Sequence, residues 1–145
     1  MPAVHGDSRA GLSVNIGWRS VVFAHPEVFH MIHQGSCHCG RIAYEVEGDI
    51  TQVTQCNCSH CARKGFLLWF GPRSALRLKT PESALSEYTF NRHHIRHQLC
   101  AVCGCEPFAF GMDSKGADTV AVNVRCLPDI DLAGLRVTHF DRRSL

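Results

Sequence analysis

Cysteine carries the chemistry of this sequence. Cys37-His38-Cys39-Gly40, Cys56-Asn57-Cys58-Ser59-His60-Cys61 and Cys100-Ala101-Val102-Cys103-Gly104-Cys105 hold eight of its nine cysteines, and Cys126 stands alone. An odd number cannot pair fully within one chain, and clusters this tight do not resemble a disulfide framework. Thiol clusters of this kind point to metal or catalysis. A CxxC turn lets two thiolates converge on one ion. The glycine after it, Gly104, lets the backbone curl so that amides face the sulfurs. A CxC pair does the same across an extended kink.

Zinc takes four ligands in a tetrahedron, with Zn–S near ~2.3 Å. Cys37, Cys39, Cys100 and Cys103 supply four and tie the start of the ordered region to its later half. A closed four-thiolate site of this kind stabilises a fold and offers no open position. The alternative is four free, buried thiols. The middle cluster then stands apart, with Cys56, Cys58 and Cys61 as three thiolates in six residues. Three protein ligands with an open fourth position is the arrangement of a catalytic zinc. Three thiolates soften the ion as a Lewis acid, so it suits a thiol better than it activates water. A thiol held there stays thiolate near neutral pH, which is the nucleophilic form. The competing reading is a second structural site closed by His60, Cys105 or another residue. Cys105 and Cys126 themselves read as small buried hydrophobes.

The pattern CxCG…CxCxxC…CxxCG, carried by Gly35 to Gly40, Cys56 to Cys61 and Cys100 to Gly104, resembles the glutathione-dependent formaldehyde-activating enzymes and the related centromere-protein-V-like domains. The resemblance runs from about residue 32 to the C-terminus. It implies a mostly β fold, often called a β-tent, with two zinc ions per chain. Carried over residue by residue, Cys37, Cys39, Cys100 and Cys103 match the structural zinc ligands, and Cys56, Cys58 and Cys61 match the catalytic ones. The implied activity is that of a carbon–sulfur lyase. It joins formaldehyde to glutathione as S-hydroxymethylglutathione and reverses that step, so the implied partners are a glutathione-like thiol and an aldehyde. The chain is shorter than the founding enzymes, and no glutathione-binding element is identifiable in it. A non-catalytic zinc module for protein or nucleic acid, and a thiol-based redox or metal-handling protein, are the other readings.

The elements that must position these cysteines are mostly strands. Over residues 41–47, Ile42, Tyr44 and Val46 alternate with polar positions, as in a half-buried strand. Residues 66–70 form a short apolar run closed by Gly71-Pro72 and read as a buried strand, with Trp69 and Phe70 in the core. Residues 85–90, 95–99, 119–124 and 137–140 are further strand candidates, the β-branched run 119–124 being the clearest. Residues 132–135 allow one helical turn. No helix of twelve residues is expected. The whole reads as a mostly β, zinc-pinned domain with long loops.

Around the clusters, residues 91–97 are rich in cations and imidazoles. As a strand they would set Arg92, His94 and Arg96 on one face and His93, Ile95 and His97 on the other. That arrangement offers an anion-binding wall, a solvated edge strand, or a metal site from His93 and His97. Arg63 and Lys64, beside the middle cluster, either favour thiolate or are surface charges. Arg125 either orders a carboxylate or caps the sheet.

With 145 residues, 45% hydrophobic and 19% charged, the chain is expected to fold as one domain. Residues 1–31 read as an N-terminal extension, either poorly ordered or an artefact of a start placed upstream of Met31. Residues 32–145 read as the zinc domain. A net charge of +2 argues against nucleic acid. No run nears the ~20 apolar residues that span a bilayer, and the N-terminus has no secretory pattern. The expected location is the cytoplasm, where disulfides are disfavoured. The sequence does not define the oligomeric state.

Overall fold

The structure, a computed structural model, describes residues 31–144. The expectation for the N-terminal extension lies outside the described residues apart from Met31. Ten strands form two sheets, and six residues form the single α-helix among the described residues. The chain is mostly β, as its alternating segments require.

The smaller sheet is antiparallel, in the order β1 (Ile32–Ser36), β2 (Ala43–Glu47), β5 (Leu76–Leu78). The larger runs β10 (Arg136–Phe140), β3 (Gln52–Cys56), β4 (Leu68–Pro72), β9 (Asp118–Asn123), β8 (Phe108–Met112), β7 (Arg96–Cys100), β6 (Leu85–Tyr88). All its neighbours are antiparallel except β10, which lies parallel to β3.

The core fills the space between the sheets. Ile42, Tyr44 and Val46 from one side meet Val53, Phe108, Val120 and Val122 from the other. Tyr44 meets Phe108 edge to face, with ring centroids 5.0 Å apart. The alternation read at residues 42, 44 and 46 is seen directly, since all three are fully buried.

Two sequence expectations need correction. Residues 66–70 are not a strand buried on both faces. The strand starts at Leu68 and Phe70 is 56% exposed. Period-2 geometry explains this: Trp69 packs towards the core, whereas Leu68 and Phe70 point to the outer face. Residues 91–94 are not a strand either. Asn91 and His93 adopt left-handed backbone (φ 56° and 55°), which makes a turn. His93 is therefore exposed, bonded to Thr89, while His97 is buried, so the two do not share a metal site. The single helical turn expected at 132–135 is present, as a 3₁₀ turn, Leu132–Gly134, capped by Asp131.

The small sheet carries a charged clasp on its outer face. Glu45 accepts from Lys79 and Arg77 across the strands and from Gln34. Lys79, then Arg77, hold its carboxyl down at about 2, from an ordinary 4.5. A depressed carboxyl stabilises the fold above its unfolded value and loses that contribution as pH falls through its folded value. Acid denaturation should show this. The wild type should exceed Glu45→Gln in stability above pH 4.5, and the difference should vanish as pH approaches about 2. A second expectation concerns Gly35, on which the Tyr44 ring lies so closely that any Cβ would overlap it. Because Tyr44 is fully buried and cannot retreat, Gly35→Ala should cost about 1–3 kcal/mol in a denaturant titration.

Candidate metal centres

Two loops bring the first cluster together. Cys37 and Cys39 lie in the turn between β1 and β2; Cys100 ends β7 and Cys103 lies in the turn beyond it. Each turn closes on a glycine with left-handed backbone, Gly40 (φ 79°) and Gly104 (φ 74°). These are conformations that a side chain would resist. Gly104 donates its N–H to the Cys100 carbonyl at 2.9 Å, and Gly40 to that of Cys37 at 3.2 Å. The Ile42 amide points at Cys37 Sγ at 3.2 Å. Backbone amides of Cys39 and Cys105 lower the Cys103 thiol to about 6. Both turns thus aim N–H dipoles at sulfur, which favours thiolate.

All four sulfurs lie within 4.8 Å of one another. Cys39 Sγ is 3.7 Å from Cys37 Sγ and 3.6 Å from Cys100 Sγ, and no disulfide joins them. A tetrahedral ion with Zn–S near ~2.3 Å needs sulfurs about 3.8 Å apart. The donor set and its spacing fit such an ion.

The second cluster sits where β3 meets the helix α1 (Ser59–Lys64). Cys56 ends the strand. Cys58 is the N-cap, its sulfur accepting from the Cys61 amide at 3.4 Å. The Cys58 amide in turn faces Cys56 Sγ at 3.4 Å. Helix α1 stops at Gly65, which takes the left-handed C-cap conformation (φ 65°). The three sulfurs lie within 4.8 Å of one another. Burial pushes the Cys61 thiol far up and raises Cys56. Cys58 is also raised by burial, but the Cys61 amide and the neighbouring thiols outweigh this and lower it. These cysteines pack with Phe66 and Leu68 in a cluster separate from the main core.

Neither residue considered for closing this set does so. His60 turns towards His97 and Glu106, and Cys105 Sγ faces Cys126 Sγ at 3.6 Å. Arg63 bonds back to the Ser59 carbonyl within its own helix, while Lys64 pairs with Glu106. Arg125 donates to the Gly65 carbonyl at 2.9 Å and so caps α1 rather than a carboxylate.

Beside Cys56 opens a cavity of about 460 Å³, lined by Gln55, Cys56, Asn57, Ala62, His139, Phe140 and Asp141. Its size lies within the range of small-molecule sites. Asn57, between two of the cysteines, pins its far wall. Its side chain donates to Asp141 at 2.7 Å and accepts from the amides of Arg142 and Arg143. Sequence reasoning missed this wall. It comes from the C-terminal strand, more than eighty residues from Cys56 along the chain, and shows no motif of its own.

Among the described residues no helix is long and apolar enough to cross a membrane. A solved structure, that of a Rhodobacter sphaeroides protein from structural genomics, is similar to this chain. It superposes with a TM-score of 0.62 at 26% identity, covering 72% of this chain and 99% of its own. Residues 32–139 match the family described as glutathione-dependent formaldehyde-activating enzyme. That match takes in every cysteine of the three clusters, so the fold, the thiol sites and the motif agree. The chain belongs to the family of glutathione-dependent formaldehyde-activating enzymes.

Proposed function

We propose that this protein is a carbon–sulfur lyase. It joins a glutathione-like thiol to formaldehyde or a related aldehyde as an S-hydroxymethyl adduct, and it reverses that step. The sulfur electron pair forms the C–S bond, the carbonyl π pair moves to oxygen, and the thiol proton ends on that oxygen. In this reading residues 32–145 are the zinc domain and hold two thiolate-bound zinc ions. Cys37, Cys39, Cys100 and Cys103 hold the structural ion, and Cys56, Cys58 and Cys61 the catalytic one. The observation that carries it is a three-thiolate set opening beside a cavity in which one of its members, Cys56, is part of the wall.

A zinc ion held by three thiolates supplies a fourth position that keeps a thiol ionised near neutral pH. The chain does the rest. Cys58 is raised by burial, but the Cys61 amide and the neighbouring thiols outweigh this and lower it, which favours an anionic ligand there. Phe140 and Ala62 give the cavity its apolar part beside Gln55, Asn57, His139 and Asp141. Asn57 fixes the C-terminal turn, placing the exposed Arg142 and Arg143 next to the cavity wall. Two guanidinium groups there suit the two carboxylates of glutathione. The uncatalysed addition is already quick, so the rate enhancement required of the protein is small.

Cys58→Ser should remove one zinc per chain by elemental analysis while the circular dichroism stays that of the wild type. The rate of S-hydroxymethylglutathione formation should fall to the uncatalysed rate. A folded variant with undiminished activity would sink the assignment. Cys103→Ser should instead unfold the protein, since it opens the set that joins the two sheets. Replacing Arg142 and Arg143 together by alanine should raise the KM for glutathione about 10-fold, or about 1.4 kcal/mol, with little change in kcat. A non-catalytic zinc module would show zinc without acceleration in the first of these assays.

A further inference from the structure

Helix α1 presents a second chemical face. His60 and Lys64 are one helical turn apart and project together, about 100° and about 60° round the helix from Cys61. Both reach Glu106, in the loop before β8. Glu106 Oε2 lies 2.9 Å from Lys64 Nζ and 3.5 Å from His60 Nε2, and Oε1 lies 2.8 Å from His97 Nδ1 on β7. The two imidazoles are packed at a centroid distance of 4.2 Å, walled by Phe66, Tyr88 and Phe90. All three side chains are more than nine-tenths buried: His60 and His97 are 9% exposed and Glu106 3%.

Buried polar atoms are normally paired, and each exception calls for an explanation. Here none of the four ring nitrogens of His60 and His97 meets a described partner in hydrogen-bonding geometry. One nitrogen from each ring and one Glu106 oxygen nevertheless converge within 4.8 Å. His97 Nδ1 faces Glu106 Oε1 at 2.8 Å and Lys64 Nζ faces Oε2 at 2.9 Å, yet Oε2 and all four ring nitrogens lack a hydrogen bond of proper geometry. The ion pair with Lys64 therefore does not account for the two buried imidazoles.

We propose that His60, His97 and Glu106 form a third metal site, for a divalent first-row ion such as Zn²⁺. Two histidines and one glutamate are a ligand set of catalytic zinc sites, with a further position open. Nitrogen and carboxylate donors suit Zn²⁺ and its neighbours Co²⁺ and Ni²⁺ rather than Ca²⁺ or Mg²⁺. Metal–ligand bonds of about 2.0–2.1 Å put tetrahedral donors about 3.4 Å apart, and one nitrogen of each ring and one Glu106 oxygen already lie within 4.8 Å of one another. Lys64 is then the outer partner that orients the ligating carboxylate. With Lys64 beside it the site is positively charged, so its open position selects an anionic ligand, a carboxylate or hydroxide. This site is independent of the thiol–aldehyde reading, because it uses none of the three catalytic cysteines.

The test is metal stoichiometry in the full chain. Wild type, Glu106→Gln, His97→Gln and Cys58→Ser are dialysed to equilibrium against buffered Zn²⁺, and bound zinc is measured with circular dichroism as the fold control. Glu106→Gln and His97→Gln should each bind one ion fewer than wild type. Combining His97→Gln with Cys58→Ser should remove two, which separates this site from the thiolate one. Equal zinc in wild type and the folded Glu106→Gln and His97→Gln variants overturns the proposal and leaves the cluster an internal ion-pair network. If both variants unfold, the wild type decides alone. The ring resonances of His60 and His97 should shift on zinc added beyond the thiolate-bound ions, and their indifference to it overturns the proposal equally.

Discussion

The convergence of four sulfurs at one point holds the two sheets together. Cys37 and Cys39 belong to the turn of the small sheet and Cys100 and Cys103 to a turn of the large one, so the set bridges them covalently once an ion is bound. Cys37 and Cys100 are also members of the main apolar core, so the same residues anchor both metal and packing. Without a metal the Arg41 amide lowers the Cys39 thiol, but burial and the neighbouring sulfurs outweigh it and raise the thiol to about 11, so four thiolates do not coexist there unaided. The amides aimed at Cys103 and Cys37 supply part of what four thiolates need, and a dication supplies the rest. This explains how a domain with short strands and one short helix keeps a defined geometry. An ion bound at this set would contribute its binding energy to folding.

A second dependence runs through α1. Six residues are too few for a helix to be stable by itself. Its ends and faces are all committed: Cys58 caps one end, Gly65 and Arg125 the other, Cys61 turns to Cys56, and Lys64 and His60 turn to Glu106. The helix therefore forms only as part of the fold. It also couples the three-thiolate set to the imidazole cluster rigidly, because Cys61 and His60 are adjacent residues.

The grouping of the cysteines was legible because CxC and CxxC spacings bring sulfurs together, and Gly104 because its turn demands left-handed backbone. Ile42, Tyr44 and Val46 were legible because one face of β2 is wholly buried. The helix was not, since six residues give no periodicity to read and its cap is a cysteine. Phe70 misled because a run of apolar residues does not say which face is covered. His97 was assigned to a strand face correctly paired with neither partner. Its partners, His60 and Glu106, are 37 and 9 residues away, and only the packing of α1 against β7 joins them. Glu106 gave no signal at all, being a single carboxylate between Cys105 and Pro107.

The candidate substrate cavity follows a different logic from the metal sets. Its thiolate side comes from residues 55–62, and its opposite wall from β10, which pairs in parallel with β3 at the edge of the large sheet. Every residue of β10 is exposed, so that strand contributes little to the core. Register along the β3–β10 pair brings Phe140 level with Cys56, and the Asn57 bonds fix the turn beyond it. Changes at His139, Phe140 or the following arginines therefore alter the shape and charge of the cavity while leaving the sulfur ligands and the core as they are. The cysteine motif and the β10 wall are thus separate parts of the fold: the match over residues 32–139 identifies the family, whereas the cavity wall opposite Cys56 is set by residues outside the cysteine clusters.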